Sequence, residues 1–408
     1  MTTTTTLVHR TFSGSHQWWR AGLVYEIASP MLGAGDMAAL DGLIDHIGSL
    51  GFGVVLIRPS RMAVTADMTP FSQMCDRAHA AGLRVVVRIS GALGPVTGEY
   101  AGQDNRIVVG AEQEGRGLID RAESFLAAGA DGIDLGTIVP PEVMASSDLS
   151  RLTEYFNDLH ALVAQHVEDG MIGADVSVRY PEAMHHHLQE DWLHHLRDDS
   201  LVLARWEAAS ITDYVSRSFE EHDRFGATLA WRVLPSYRLG DHSNPGDARS
   251  WFAVPPVERR RRGMALQALM LALPGAVYLR QGDEVALPDE QVPDSPLSLS
   301  AAVNREAALQ GDQFASPLAT VRHATHLRRE RRLAEAPLAF VDGIDWAPPG
   351  VLTLLVRNVL VLVNTTTEPV HLPPHAEVLL ASRVLSQSDG HLLVPATTTV
   401  WVDAQTVA

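Results

Sequence analysis

From Gly22 to Leu279, short apolar runs alternate with longer segments whose apolar residues recur at helical spacing. That is the pattern of parallel strands joined by helical crossovers. The expected strands are Leu23 to Ile27, Gly53 to Ile57, Leu83 to Ile89, Asp131 to Gly136, Gly170 to Asp175, Ser200 to Ala204, Ala227 to Val233 and Ala276 to Leu279. Glycines in LGFG (50 to 53) and AAGL (80 to 83) end the helical segments ahead of the second and third strands, where a left-handed residue lets the chain leave a helix. Eight strand–helix steps in roughly 260 residues predict a closed (β/α)8 TIM barrel rather than an open sheet.

Past Pro288 the stretch LPDEQVPDSPLSLS reads as a loop, followed by a charged helix around Leu318 to Glu335. The period then changes to two over Val351 to Val356, Val359 to Asn364, Glu377 to Ser382 and Thr397 to Val402, which predicts a small antiparallel β domain. The expected organisation is an N-terminal tail (1–16), a barrel (17–335) and a C-terminal antiparallel β-sandwich (336–408).

Composition narrows the class of partner. With 46% apolar and 20% charged residues, 408 residues suffice for a large core, so disorder is not expected. A net charge of -17 repels phosphate backbones and anionic lipid, so neither nucleic acid nor a membrane surface is the expected partner. The single cysteine, Cys75, leaves no internal disulfide and fits a reducing compartment. The opening MTTTTTLVHRTFSG lacks the basic head and apolar core of a secretion signal, and no apolar run approaches the ~18 residues of a membrane span. A soluble cytoplasmic protein is expected.

Several segments resemble the α-amylase family of glycoside hydrolases, in particular its bacterial α-glucosidase branch. WWRAGLVYEIASPM (Trp18 to Met31) is similar to the family's opening segment, and LDGLIDHIGSLGFGVVLIRPS (Leu40 to Ser60) to its first helix and second strand. FSQMCDRAHAAGLRVVVRIS and AESFLAAGADGIDLG resemble the approaches to its third and fourth strands. The most specific match is ALPGAVYLRQGDEVALP, similar to the eighth-strand signature A-L-P-G-x-x-Y-L-Y-Q-G-E-E-x-G-L-P. The resemblance spans about Trp18 to Val402 and implies a barrel followed by a C-terminal β domain. The implied chemistry is retaining glycoside hydrolysis or transfer, which needs a nucleophilic carboxylate and a carboxylic acid roughly 5 Å apart.

The residues that the family uses for that chemistry are replaced here. Where relatives have D-G-F-R-x-D, this chain has Asp131, Gly132, Ile133, Asp134, Leu135 and Gly136, so Asp134 takes the arginine position and Gly136 the nucleophile position. The fifth strand has Ala174 at the acid/base position, with Asp175 one residue along. Successive strand residues face opposite ways, so that offset does not restore the acid unless a bulge re-aims it. Val233, Leu234 and Pro235 align with the family's N-H-D, Pro235 at the third carboxylate, and Arg88, Ala92 and Leu93 with its D-x-x-x-N-H. The substrate-covering domain that relatives insert after the third strand is reduced to residues 91–117, a loop's length.

The barrel mouth nonetheless carries charge. Glu26, Arg58, Arg88, Asp134, Asp175, Arg232 and Asp283 lie at or near predicted strand C-termini, where barrel enzymes place their sites. They could line a reshaped pocket for a polar or anionic ligand. The simpler expectation is that Arg88 and Asp134 occupy neighbouring inward positions and neutralise one another as a buried pair.

His185, His186, His187, Glu182, Glu190, Asp191, His194 and His195 carry metal-ligand chemistry at partly helical spacing, but a solvated helix face is the plainer expectation, and neither metal nor cofactor is expected. Arg259 to Arg262 reads as the exposed start of a helix, and RHATHLRRERR as a helix laying arginine stems against the barrel. Gly91, Gly94, Gly98 and Gly102 do not form a phosphate loop.

The expected function is a catalytically inactive relative that binds or assembles, with an active paralogue or with itself as partner and a small polar or sugar molecule as ligand. The alternatives are relocated, non-glycosidic chemistry using Asp134, Asp175, Glu26 or Arg88, and residual α-glucosidase activity through Asp175.

Overall fold

The computed structural model describes residues 3–11, 17–27, 34–59, 67–89, 112–137, 149–176, 181–232, 254–287, 296–311, 313–388 and 390–407. Eight strands close into a parallel barrel in chain order: β2 (Leu23–Glu26), β3 (Val54–Ile57), β4 (Arg84–Arg88), β5 (Gly132–Thr137), β6 (Met171–Asp175), β7 (His195–Asp198), β8 (Leu229–Arg232) and β9 (Ala276–Arg280). Their alternating side chains separate two cores. Val24, Val54, Leu56, Val86, Met171, Ala230, Ala276 and Tyr278 fill the barrel, while Tyr25, Val55, Val87, Ile133, Ile172, Leu196 and Trp231 face the helical shell.

The shell comprises α1 (Ala34–Ser49), α2 (Thr69–Ala80), α3 (Glu112–Ala127), α4 (Leu149–His166), α5 (Pro181–Gln189), α6 (Ser200–Leu203), α7 (Ala208–Arg224), α8 (Pro256–Ala272), α9 (Pro296–Gln310) and α10 (Pro317–Glu330). Gly275, entering β9, has φ +99° and sits where a Cβ would stand 2.2 Å from the Leu229 carbonyl oxygen, so only glycine fits. The barrel's N-terminal end is closed by a 3-10 turn, Trp18–Ala21. His195 bridges the Trp19 carbonyl (2.6 Å) and the Tyr278 hydroxyl (2.8 Å) there.

The C-terminal domain holds β10 (Leu338–Asp342), β11 (Val351–Val356), β12 (Val359–Asn364), β13 (Val370–His371), β14 (Val378–Ala381), β15 (Ser386–Ser388), β16 (His391–Val394) and β17 (Thr398–Asp403). Its larger sheet runs β1-β10-β11-β12-β17-β14, where β1 is Thr4–His9, and its smaller one β13-β16-β15. One face of the larger sheet packs on α8, where the Trp401 indole donates to the Ala268 carbonyl (3.1 Å) and the Thr399 hydroxyl to that of Ala265 (2.7 Å). Its other face shares Leu362, Val400 and Val402 with Val370 and Val394 of the smaller sheet.

Four expectations are corrected. The supposed tail 1–16 contains β1, whose β-branched TTTLVH pairs antiparallel with β10 as the outer strand of the C-terminal sheet. Residues 200–204 are not a strand: Ser200–Leu203 is a helical turn and the barrel strand is His195–Asp198. A short apolar run does not by itself separate helix from strand, and the true strand is hidden by its inward polar residues, His195 and Arg197. The stretch LPDEQVPDSPLSLS becomes helical at Pro296, a residue suited to a first helical turn. In the interval 91–117, α3 already begins at Glu112; residues 91–111 lie outside the described ones.

Candidate functional site

At the C-terminal ends of the barrel strands, alternation turns a charged residue inward on strand after strand. Glu26 ends β2, Arg88 ends β4, Asp134 lies in β5, Asp175 ends β6, Arg197 lies in β7 and Arg232 ends β8. The inward phase is set by the apolar residues two and four positions earlier, such as Val24, Val86 and Ala230.

These six side chains form a closed ring. Arg88 reaches Glu26 (Nη1 to Oε1, 3.0 Å) and Asp134 (Nε to Oδ1, 2.8 Å). Arg197 grips Asp134 through both terminal nitrogens and Asp175 through Nη2 (2.9 Å). Arg232 completes the circuit to Asp175 (3.3 Å) and back to Glu26 (3.3 Å). Every carboxylate meets two guanidiniums and every guanidinium two carboxylates. The Gly136 amide adds a hydrogen bond to Asp134 (2.9 Å), made as the chain turns at Gly136 with φ +70°. From below, the Arg197 guanidinium lies over the Tyr278 ring, 5.1 Å from its centroid.

The ring fixes its own protonation. Burial alone would push the carboxyls of Asp134 and Glu26 up, but the arginines outweigh it. Arg197 and Arg88 act on Asp134, and Arg232 and Arg88 on Glu26; both stay below the usual carboxylate range. Burial likewise works against Arg197, yet Asp134 and Asp175 hold it above an ordinary arginine.

Five of the expected mouth residues, Glu26, Arg88, Asp134, Asp175 and Arg232, are thus brought together, and Arg88 and Asp134 are paired. Arg58 follows β3 in the phase of Val54 and Leu56 and is half-buried. Asp283 stands apart, buried in the turn after β9, where its carbonyl accepts from the Gln267 amide (3.2 Å). Its neighbour Glu284 braces that turn, accepting from the Tyr25 hydroxyl (2.6 Å), from His46 Nε2 (3.1 Å) and from the Gly282 amide (2.8 Å). Ala174 faces the helical shell, so the inward group at the end of β6 is Asp175. Pro235 lies outside the described residues. Arg197 is absent from the sequence-based set because its strand was expected some five residues later.

The histidine-rich stretch disperses. His185 bonds Glu221 (2.6 Å), His194 Nδ1 accepts from the Ile172 amide (3.0 Å), and buried His187 is pushed down to about 4 by desolvation. Among the described residues no three His, Cys, Asp or Glu side chains converge on a metal position. Arg261 and Arg262 turn back on Glu258 within α8, both at 3.6 Å. Arg328, from the second arginine-rich segment, is buried and caps the C-terminus of α8 through the Leu271 carbonyl (2.8 Å). No described helix is long and apolar enough to cross a membrane.

Comparison with known proteins places this geometry in a fold context. No protein-family model matches the chain, and no curated protein matches it either. Solved structures do. Trehalose-6-phosphate hydrolase from Bacillus licheniformis is 13% identical with a TM-score of 0.63, over 95% of this chain and 99% of that one. Isomaltulose synthase from Erwinia rhapontici is 12% identical with a TM-score of 0.59, over 96% and 100%. Cyclic α-maltosyl-(1→6)-maltose hydrolase from Arthrobacter globiformis is 14% identical with a TM-score of 0.57, over 94% and 98%. The chain therefore has the fold of the α-amylase-family glycoside hydrolases, a (β/α)8 barrel with a C-terminal β domain.

Proposed function

We propose that this chain is a non-cleaving relative of the α-amylase-family glycoside hydrolases: a cytoplasmic protein of carbohydrate metabolism whose barrel serves as a binding or assembly scaffold. Its partner is an active paralogue or a second copy of itself, and its ligand a small polar molecule. The observation that carries this is the closed ring. Retaining hydrolysis needs one carboxylate free to attack the anomeric carbon and a second carboxyl that holds a proton for the leaving oxygen, roughly 5–5.5 Å apart. Here each inward carboxylate of the ring is shared by two guanidiniums. Flanking guanidiniums favour the ionised form, the reverse of the environment that raises a general acid's pKa. Where the resemblance places the nucleophile, Gly136 has no side chain.

The test is turnover of a nitrophenyl α-glucoside by the purified chain and by its Asp175→Ala variant. Equal background rates are expected. Release by the unmodified chain above that of the variant contradicts the proposal and supports residual glycosidase activity through Asp175. Mass photometry in extract of the source organism tests the assembly role; a monomer without partner counts against it.

A further inference from the structure

Among the described residues, the strand edges of the C-terminal domain are short or covered, with one exception. The smaller sheet ends in β13 and β15, of two and three residues. The larger sheet ends on one side in β14, which bulges between Val378 and Leu380. There His323 of α10 donates from Nε2 to the Leu379 carbonyl (2.9 Å). Short strands, bulges and a covering helix all keep an edge from pairing with another chain. On the other side stands β1, six residues long and paired with β10 alone. Thr4 to Leu7 are exposed, Leu7 at 53%. The strand is nonetheless held in place: Val8 packs on the core, and His9 bonds Asp223 of α7 (2.9 Å). Thr4 to Val8 include neither a charge nor a proline, and the bulge in β1, between Leu7 and His9, leaves Thr4 to Leu7 in regular register with β10.

We propose that β1 pairs antiparallel with the β1 of a second copy of this chain, about a two-fold axis near Leu7, joining the two larger sheets into one. The edge is self-complementary. Set antiparallel against itself, its threonine row places β-branched residues opposite one another, a favourable cross-strand arrangement, and the axis brings the exposed Leu7 side chains of both copies together. The two ends of the edge are opposite in charge. Asp342, the register partner of Thr4, lies at one end, and Arg10 follows β1 at the other. Both are exposed, and among the described residues neither forms an ion pair. Within one copy they stand about 20 Å apart, the length of the strand. Across the axis, the antiparallel arrangement carries each Arg10 towards the Asp342 of the other copy. Between those ends the edge is uncharged, so two chains of net charge -17 meet there with least repulsion. The proposal rests on the assembly reading above and specifies its partner and its surface.

Sedimentation velocity of the full chain, from low to high micromolar concentration, tests it. The mass should rise from one chain of 44.3 kDa towards twice that value. Thr5→Lys combined with Leu7→Lys places like charges against one another across the axis and should weaken association about tenfold or more, with an unchanged thermal midpoint at low concentration showing that the variant folds. Leu7→Cys should give a disulfide-linked dimer on mild oxidation, since the native Cys75 is buried. Arg10→Glu and Asp342→Arg should each weaken the dimer, and the two together should restore it. The proposal is overturned if the chain stays monomeric at every concentration, if the double lysine variant associates like the unmodified chain, or if Leu7→Cys yields no linked dimer. A chain that stays monomeric alone but joins an active paralogue in extract would sink this interface and leave the scaffold reading standing. Release of nitrophenol from an α-glucoside would sink the non-cleaving reading and leave the interface untouched.

Discussion

Arg88 and Asp134 are direct register partners on adjacent parallel strands, both turned into the barrel, with Nε 2.8 Å from Oδ1 and almost no solvent access. In the sequence they lie 46 positions apart, and nothing local joins them. Their pairing follows from two rules acting together: parallel register brings their Cα atoms level, and alternation turns both inward. An unpaired charge at either position would be buried at a penalty of several kcal/mol, so each requires the other.

Breaking the ring at one member should therefore be far worse than removing a pair. Asp134→Asn leaves Arg88 and Arg197 buried with half their compensation and should lower unfolding stability by about 3–5 kcal/mol. Replacing Asp134 and Arg197 together by leucine and methionine should recover much of that loss. Urea denaturation of the single and double variants checks both; additive losses would show that the ring is not a coupled unit.

Acid should act on the histidines before the ring. His195 is held down to about 3 and His194 to about 4, in both cases chiefly by burial. Unfolded, each takes a proton near pH 6.5. Between that value and the folded one the unfolded chain binds more protons, so stability falls as pH drops, by up to ~1.4 kcal/mol per pH unit for each such histidine. Asp134 and Glu26 are shifted below their ordinary values, so their contribution is complete above about pH 4 and is lost only at lower pH. Urea midpoints measured from pH 7 to 4 should decline, and His195→Gln should flatten part of the slope; an unchanged slope contradicts the assignment.

The turn into β9 should tolerate no side chain. Gly275→Ala puts a methyl against the Leu229 carbonyl oxygen in a left-handed backbone region, for a loss of about 1–3 kcal/mol or more. Thermal unfolding reads it directly. Alanine at Gly82, also at positive φ but with open space around its Cβ position, should lose less.

The first strand should matter to the last domain. Removing residues 1–10 uncovers the edge of β10 and deletes the bond between His9 and Asp223 (2.9 Å). A lower unfolding midpoint and increased light scattering on storage are expected, because an open strand edge templates association. Unchanged behaviour would mean that β1 contributes nothing to the sheet.

Strands buried on both faces were legible in the sequence because they read as continuous apolar runs: VVLI at 54–57 and AVYLR at 276–280 fall where expected. HLRD at 195–198 was not, since its inward residues are a histidine that closes the barrel floor and an arginine that joins the ring. The polar members of the site are what hide a site strand from a hydrophobic pattern. The site was legible in its residue types at strand ends, including five of the six ring members, but not as a closed circuit. Arg197 and the second partner of each charge depend on tertiary register, which spacing along one chain does not encode.

On the non-cleaving reading, none of the three ring carboxylates, Glu26, Asp134 and Asp175, is free to attack or protonate a glycoside. Intact-mass spectrometry after incubation with 5-fluoro-α-glucosyl fluoride, which traps the glycosyl-enzyme of retaining α-glucosidases, tests it most directly. The mass of the chain should remain unchanged. A covalent glycosyl adduct mapped to Asp134, Asp175 or Glu26 would contradict it.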